Sequence, residues 1–405
     1  DHGTYQPSGQ QAINEDILTD MVNICQGKDP KSMRIIEIGC GAGRLTQALS
    51  KVFGEVYAVD VSGEMVAQAK AALKDRPGVH IFQNNGCDLS VLPDQEYDFA
   101  YSAIVFQHIP SRDVVLEYLG EIQRVLKPGG LARLQLNGLP LIGDDQYTTW
   151  SGARFSSQEL LEFTAGRDIQ VLALEGAGTQ YMWTTWRKQP AGWHSRMNRR
   201  TFYSMPCRIR RITNATSSEP VAPSRGRFAS ISVWVENLPS DAGLHHLRVM
   251  IGEYLGTIIY IGPPDNVGLQ QLTVILPDLE ATGLLPVELR WVDAPLAPPT
   301  TLRVIPPGPQ VPHLRSVTDG VNLVLPNCIE TRCVKMTLEE IARPHEIEAT
   351  IGGKPVVNLE YFCIEPRPQV FEVNFDLPED LGPGYYPLDV RMGRRKIATV
   401  TVQVV

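Results

Sequence analysis

Two kinds of hydrophobic pattern alternate along the first 188 residues. Short, almost uninterrupted apolar runs predict buried strands of a parallel sheet, at residues 33–38, 55–60, 79–83, 97–102 and 131–136. Segments whose apolar residues recur every three or four positions predict helices, at residues 44–53, 63–74 and 112–126. Strands that alternate with helices predict an α/β domain in which helices cover a parallel sheet.

The end of this region predicts one more helix and two more strands. Ser156 and Glu159 have the spacing of a capping box, in which each side chain binds the backbone N–H of the other residue. A helix is therefore expected to begin at this point. Apolar runs at 169–174 and 181–186 predict a sixth and a seventh strand.

The pattern changes after residue 188. Prolines become frequent, and short alternating runs replace the helical spacing, which is typical of an all-β sandwich. The pattern also repeats, because the run at 284–290 returns at 385–391 and Ile251-Gly252 returns as Ile351-Gly352. An offset of about 100 residues is the length of one immunoglobulin-like domain. We therefore predict two β-sandwiches, joined by a stiff linker near residues 306–309.

The composition limits the class of protein. A chain of 405 residues, 43% of them hydrophobic, is long enough for two to four domains. The seven cysteines include no Cys-x-x-Cys pair, and the eight histidines show no spacing typical of metal ligands. His245 and His246 lie in a strand-like run that would point them to opposite faces. Because no run is long enough to span a membrane and no signal peptide is evident, we expect a cytoplasmic protein without a metal site.

The candidate chemistry lies at the end of the first predicted strand. Gly39, Gly41 and Gly43 separate that strand from a helix, as expected where a tight turn brings the backbone close to a ligand. A dinucleotide motif needs its third glycine where this chain has Arg44. Asp60 ends the second strand, where a carboxylate accepts hydrogen bonds from ribose hydroxyls. These residues predict a nucleotide cofactor, and the alternative is a turn that needs glycine for structural reasons alone.

Residues 1–188 resemble the class I S-adenosylmethionine-dependent methyltransferases in three features. These are the glycine motif preceded by Glu37, the carboxylate of Asp60, and the run at 127–130 between a helix and a strand. The resemblance implies a Rossmann-like sheet of seven strands in the order 3-2-1-4-5-7-6, with the last strand antiparallel. It also implies S-adenosylmethionine as the cofactor. The residues expected at that cofactor are Glu37, Gly39, Cys40, Gly41, Gly43, Asp60, Val61, Met65, Asn85, Gly86, Ser102 and Ala103.

His108 is the candidate general base, because it lies in the loop that runs beside the methionine moiety in this family. A base is needed only if the acceptor must lose a proton, so a histidine that packs the loop is the alternative interpretation. The presence of two predicted β-sandwiches in the same chain favours O-methylation of a glycan or a small metabolite. A non-catalytic protein that binds S-adenosylmethionine is a second hypothesis, and a nicotinamide-dependent oxidoreductase is a third one, disfavoured by Arg44.

The predicted order of domains is a methyltransferase domain, a basic linker and two sandwiches. Their predicted limits are residues 1–188, 189–207, 208–307 and 308–405. The sandwiches resemble bacterial immunoglobulin-like domains of the IPT/TIG type and would bind a substrate or a partner.

The stretch between residues 187 and 211 is unusually basic. It holds eight lysines and arginines and no acidic residue, which predicts either an anionic ligand or arginines that pair with acidic faces of neighbouring domains. A net charge of −8 argues against a general nucleic-acid binder.

Overall fold

The computed structural model describes residues 9–10, 12–140, 152–226, 228–321, 325–365 and 369–405. The chain forms two compact units. The first consists of residues 1–220, 231–277 and 284–302, and the second consists of residues 221–230, 278–283 and 303–405.

The first unit contains a mixed sheet whose first seven strands have the predicted order. These strands are β1 (Arg34–Ile38), β2 (Glu55–Asp60), β3 (Val79–Gln83), β4 (Tyr97–Ser102), β5 (Leu126–Leu136), β6 (Ile169–Glu175) and β7 (Met182–Lys188). They lie in the order β3-β2-β1-β4-β5-β7-β6. Strand β7 is antiparallel to both β5 and β6, whereas β1 to β5 are parallel to one another.

The prediction that the sheet ends after seven strands is wrong. Strand β12 (Tyr254–Ile261) continues the sheet at β6 through a pairing of Tyr260 with Ala173. An edge strand leaves backbone N–H and C=O groups unpaired, and here a strand from the later part of the chain pairs with that edge. The sheet therefore joins the α/β part of this unit to the strand-rich part.

Helices accompany this sheet, and the four at residues 44–52, 63–72, 112–125 and 157–165 begin where the sequence predicts, whereas those at 21–25 and 193–198 were not predicted. The helices are α1 (Met21–Cys25), α2 (Arg44–Val52), α3 (Gly63–Ala72), α4 (Arg112–Val125), α5 (Ser157–Ala165) and α6 (Trp193–Asn198). Ser62, Ser111 and Ser156 cap three of them by accepting a backbone N–H bond. The predicted capping box is confirmed, because Ser156 Oγ accepts from the N–H of Glu159 and the Glu159 carboxylate accepts from the N–H of Ser156.

The apolar residues of α2 and of the N-terminal segment 12–20, which is helical at 12–16 and 18–20, pack on one face of the sheet. Ile13, Ile17 and Leu49 form a core there with strand residues such as Phe99. The same face carries a second, smaller cluster that includes Val66 and Leu73 of helix α3. These contacts fix the carboxyl ends of β1, β2 and β4 relative to the helices that follow them.

The strand-rich part shows the predicted internal repeat. The first repeat contains β8 (Arg208–Asn214), β9 (Val221–Pro223), β10 (Ser230–Glu236), β11 (Leu247–Ile251), β12, β13 (Leu269–Ile275), β14 (Gly283–Trp291), β15 (Ala294–Pro295) and β16 (Thr300–Ile305). The second contains β17 (His313–Asp319), β18 (Cys328–Ile329), β19 (Cys333–Glu339), β20 (Ile347–Ile351), β21 (Lys354–Pro355), β22 (Val357–Glu365), β23 (Val370–Asp376), β24 (Gly384–Met392) and β25 (Arg395–Val404). The order β8-β10-β13-β12 in the first repeat corresponds to β17-β19-β23-β22 in the second. The order β11-β14-β16 likewise corresponds to β20-β24-β25.

Candidate functional site

The three glycines after β1 each adopt a left-handed backbone, but for different reasons. Their φ angles are +75° at Gly39, +52° at Gly41 and +89° at Gly43. A Cβ on Gly39 would lie 2.2 Å from Cγ2 of Val105, and a Cβ on Gly43 would lie 2.9 Å from Cδ1 of Leu73. A Cβ on Gly41 would meet no atom within 4 Å. Gly39 and Gly43 are therefore required by packing within the protein, and Gly41 is the glycine that faces open space.

This difference predicts separate effects for two alanine substitutions. We expect Gly39→Ala to lower the free energy of unfolding by about 2 kcal/mol, because the methyl group must displace Val105. Gly41→Ala should cost about 1 kcal/mol for the backbone alone, yet its methyl group enters the open space and should weaken cofactor binding. Urea denaturation of both variants measures the loss of stability. Titration calorimetry with the expected cofactor measures the loss of binding. Equal losses of stability would contradict this assignment.

The Asp60 carboxylate lies beside the glycine turn. Its Oδ2 accepts a hydrogen bond from the N–H of Gly41 at 2.8 Å, and its Oδ1 accepts one from the N–H of Ser62 at 2.9 Å. Each carboxylate oxygen keeps a lone pair for a further donor, such as a ribose hydroxyl. Asp60 thus connects the glycine turn to the start of α3. Its side chain is half-buried at the carboxyl end of β2.

Val61 and Gly86 lie next to each other at the ends of β2 and β3. The side chain of Val61 is 58% exposed, and a Cβ on Gly86 would come within 2.9 Å of its Cγ2. Met65 lies half-buried in the first turn of α3. These residues border the same edge of the sheet as Asp60.

Glu37 is buried beneath the turn. Only 2% of it is exposed, and Thr46 Oγ1 of α2 donates a hydrogen bond to its Oε2. Burial raises the pKa of Glu37 to about 7, although the Thr46 hydrogen bond and the charge of Arg44 oppose this shift. Cys40 is also buried, and its burial raises the pKa of the thiol well above its usual range. Glu37 therefore connects β1 to α2 beneath the glycine turn.

The two asparagines at the end of β3 have different environments. Asn85 Oδ1 accepts hydrogen bonds from the N–H groups of Cys87 and Asp88, so the predicted adenine ligand takes part in a local turn. Asn84 is buried and donates to Tyr118 at 2.7 Å, whereas its Oδ1 has no hydrogen-bond partner among the described residues. Sequence reasoning missed Asn84, because two adjacent residues of the same type can be told apart only by their burial.

The residues after β4 approach the glycine turn from the other side. Ser102 is fully buried, and its Oγ donates to the carbonyl of Ile38 at 3.1 Å. Ala103 packs against the core that contains Ile35. His108 is exposed, and Gln107 Nε2 lies 3.3 Å from its Nε2. Its role as a base stays a prediction.

Sequence reasoning missed a polar cluster on the sheet face that packs against Ile13 and Ile17. Tyr101 donates a hydrogen bond to Asp16 at 2.7 Å. Arg133, which pairs with Tyr101 across strands β5 and β4, donates a hydrogen bond to Thr185 Oγ1 at 3.1 Å. Tyr260 of β12 donates to Asp20 at 3.4 Å. Burial raises the pKa of both aspartates. No short motif brings these residues together, because the tertiary fold joins the N-terminal segment to strands that lie far along the sequence.

Several residues of the basic segment 187–211 have partners within the chain. Arg200 pairs with Asp241 at 2.6 Å, Arg210 contacts Glu236, and the guanidinium of Arg211 lies 4.4 Å from the ring centroid of Trp234. Lys188 donates to the carbonyls of Arg124 and Leu126, and burial lowers the pKa of Arg187. These contacts favour the pairing hypothesis, and an anionic ligand stays a prediction.

Within the part of the chain that the structure describes, no group of three or more histidine, cysteine or acidic side chains is arranged to hold a metal ion. None of the helices in that part has both the length and the apolar character that crossing a membrane requires.

Parts of this chain are similar to known proteins. Residues 36–134 match the family described as a methyltransferase domain. The probable methyltransferase ltbC of Aspergillus luteorubrus is 34% identical over 110 residues, 25% of this chain and 39% of that protein. The demethylmenaquinone methyltransferase of Staphylococcus carnosus is 31% identical over 105 residues, 25% of this chain and 42% of that protein. The ubiquinone biosynthesis O-methyltransferase of Chelativorans sp. is 26% identical over 147 residues, 33% of this chain and 56% of that protein.

The matches cover only part of this chain. A solved SAM-dependent methyltransferase from Methanosarcina mazei aligns over 39% of this chain and 93% of its own, with 19% identity and a TM-score of 0.32. The chain spans between 39% and 56% of the length of these curated relatives. The similarity to the methyltransferase-domain family is located at residues 36–134 of this chain.

Proposed function

We propose that the protein is an S-adenosylmethionine-dependent methyltransferase. The observation that carries this proposal is the pairing of Gly41 and Asp60. The Asp60 carboxylate binds the Gly41 N–H at 2.8 Å, and the side of Gly41 that would bear a Cβ is open. A nucleoside can approach the backbone at Gly41 while its ribose hydroxyls bond to Asp60.

The chain's own residues bind and orient the reactants. When bound, S-adenosylmethionine supplies an electrophilic methyl group on sulfur. Asp60 would hold the ribose, Gly41 would admit the cofactor to the backbone, and the loop at 102–108 would border the reacting end. Because holding two reactants at attack distance supplies much of the rate, little acid–base chemistry is required. His108 would act as a base only for an acceptor that loses a proton.

For the acceptor, we propose an oxygen atom of a small metabolite or a glycan. Two of the relatives carry names that refer to quinone biosynthesis, and one of these is an O-methyltransferase. These names support the small metabolite over the glycan. For the region after residue 207, we propose two immunoglobulin-like sandwiches that bind a substrate or a partner, with limits at 307 and 308.

Calorimetry with S-adenosylmethionine tests the proposal. We expect binding by the unsubstituted chain and at least tenfold weaker binding by Asp60→Ala, because the ribose loses its acceptor. Asp75→Ala is the matched control, since Asp75 is an exposed aspartate outside the site. Absence of binding by the unsubstituted chain would overturn the proposal.

The two other hypotheses have their own tests. Binding of a nicotinamide dinucleotide in place of S-adenosylmethionine would favour the oxidoreductase. Binding of S-adenosylmethionine without turnover of any acceptor in a panel of quinols, phenols and sugars would favour the non-catalytic protein.

A further inference from the structure

The backbone at Ile104 is strained. Ile104 has a φ of +58°, a conformation that β-branched residues rarely adopt because the side chain crowds the backbone. Its side chain is nevertheless 53% exposed, so no core packing explains the choice of isoleucine. Glycine or asparagine would adopt this backbone with less strain.

A buried amide holds Ile104 in this conformation. Gln135 Oε1 accepts a hydrogen bond from the N–H of Ile104 at 2.8 Å, and Gln135 is only 2% exposed. Its Nε2 donates to Gln107 Oε1 at 2.8 Å, so both ends of the amide are used by the loop after β4. The surrounding structure thus fixes a backbone that isoleucine alone would avoid.

The position of Ile104 places it beside the glycine turn. The neighbouring Val105 occupies the space where Gly39 would carry a Cβ. Strand β4 lies next to β1 on the side opposite β2, so Ile104 and Asp60 flank the glycine turn. A ligand whose ribose binds at Asp60 and whose base lies toward β3 extends its remaining end across β1 toward Ile104.

We propose that Ile104 is a specificity residue whose side chain contacts the methyl-bearing end of the bound cofactor. This inference rests on the proposed function. The backbone strain is retained because a residue that relieves it would lose this contact.

Two substitutions at Ile104 separate the effect of backbone strain from the effect of the side-chain contact. Ile104→Gly relieves the strain, and we expect the melting temperature of the ligand-free chain to rise by about 2 °C. Its affinity for S-adenosylmethionine should fall at least fivefold, whereas its affinity for adenosine should change less than twofold. Ile104→Ala keeps a strained backbone and should lose the same affinity without the rise in melting temperature. If the glycine variant does not fold, the affinities of the alanine variant test the inference.

Val292 provides a matched control. It is a β-branched residue with a φ of +51°, 44% exposed, in the turn between β14 and β15. Val292→Gly should raise the melting temperature as Ile104→Gly does and leave the affinity for both ligands unchanged.

The outcomes distinguish this inference from the proposed function. If the unsubstituted chain binds S-adenosylmethionine and both Ile104 variants bind it equally well, the inference alone is overturned. An equal loss of adenosine affinity would also overturn it, because the effect would then not be confined to one end of the ligand. If the unsubstituted chain does not bind S-adenosylmethionine, both the proposed function and this inference fail.

Discussion

Acidification from pH 6.5 to pH 4 is expected to cost the first unit about 3 kcal/mol of stability for each of two adjacent histidines, His245 and His246. Burial lowers the pKa of each imidazole to about 4 from its usual 6.5. Between these values the unfolded chain binds protons that the folded chain does not, so the free energy of unfolding falls as the pH falls. The loss is complete below pH 4.

The hydrogen bond that His246 accepts requires a neutral imidazole. His246 Nδ1 accepts a hydrogen bond from the N–H of Gly243 at 3.2 Å, and its ring stacks on Trp291 with centroids 4.7 Å apart. His245 Nε2 lies 2.8 Å from Thr164 Oγ1 of helix α5. A proton on His246 Nδ1 would remove the acceptor of the Gly243 bond. The charged and titratable groups that influence the two rings are Arg200, Arg248, His194 and Asp241.

Urea denaturation at pH 7, 5.5 and 4, followed by tryptophan fluorescence, measures this effect. His246→Asn offers an amide oxygen to Gly243 but does not titrate, so its stability should fall less steeply with pH than that of the unsubstituted chain. His80→Asn is the matched control, because His80 lies half-buried on β3, far along the chain from this contact. A pH dependence identical in all three proteins would contradict the assignment.

Glu37→Gln is expected to stabilise the ligand-free chain by about 3 kcal/mol at pH 8 and to have little effect at pH 4.5. Burial raises the pKa of Glu37 to about 7, so between pH 4.5 and 7 the folded chain keeps a proton that the unfolded chain has lost. The free energy of unfolding therefore falls as the pH rises through this window. Glutamine is neutral at every pH and can still accept the hydrogen bond from Thr46.

Denaturation of the two proteins at pH 4.5, 6 and 8 tests this expectation. The difference in unfolding free energy between variant and unsubstituted chain should grow with pH and level off above pH 7. Glu64→Gln, an exposed position in α3, controls for the change in net charge. A constant difference at all three pH values would show that Glu37 stays ionised in the folded chain.

Local sequence patterns were sufficient to predict much of the α/β region. The apolar runs, the serine caps and the glycine turn are each encoded within a few residues, and the strand order followed from the resemblance that those motifs carry. Asp16 and Tyr101, by contrast, are 85 positions apart and meet only in the folded chain. The helical spacing of Ile13 and Ile17 was the one local signal that this segment would pack on the sheet.

His245 and His246 show why the remainder could not be predicted. The sequence placed them in a strand with opposite orientations, but they lie in the turn that precedes β11. Residue 244 of that turn donates its N–H to the carbonyl of Val171 on β6. A turn that is buried by another part of the fold has the same local pattern as a strand end, so only the tertiary contact distinguishes the two.

The pairing of Tyr260 with Ala173 bears on how such a chain can be rearranged during evolution. A domain that is attached by a linker alone can be lost, duplicated or exchanged without harm to its neighbour. The first strand repeat instead supplies hydrogen bonds to the sheet edge at β6 and a tyrosine to Asp20. Its removal would leave an open edge at β6 and would take the Tyr260 hydrogen bond from Asp20, which Asn23 also binds, so loss of this repeat should destabilise the α/β region.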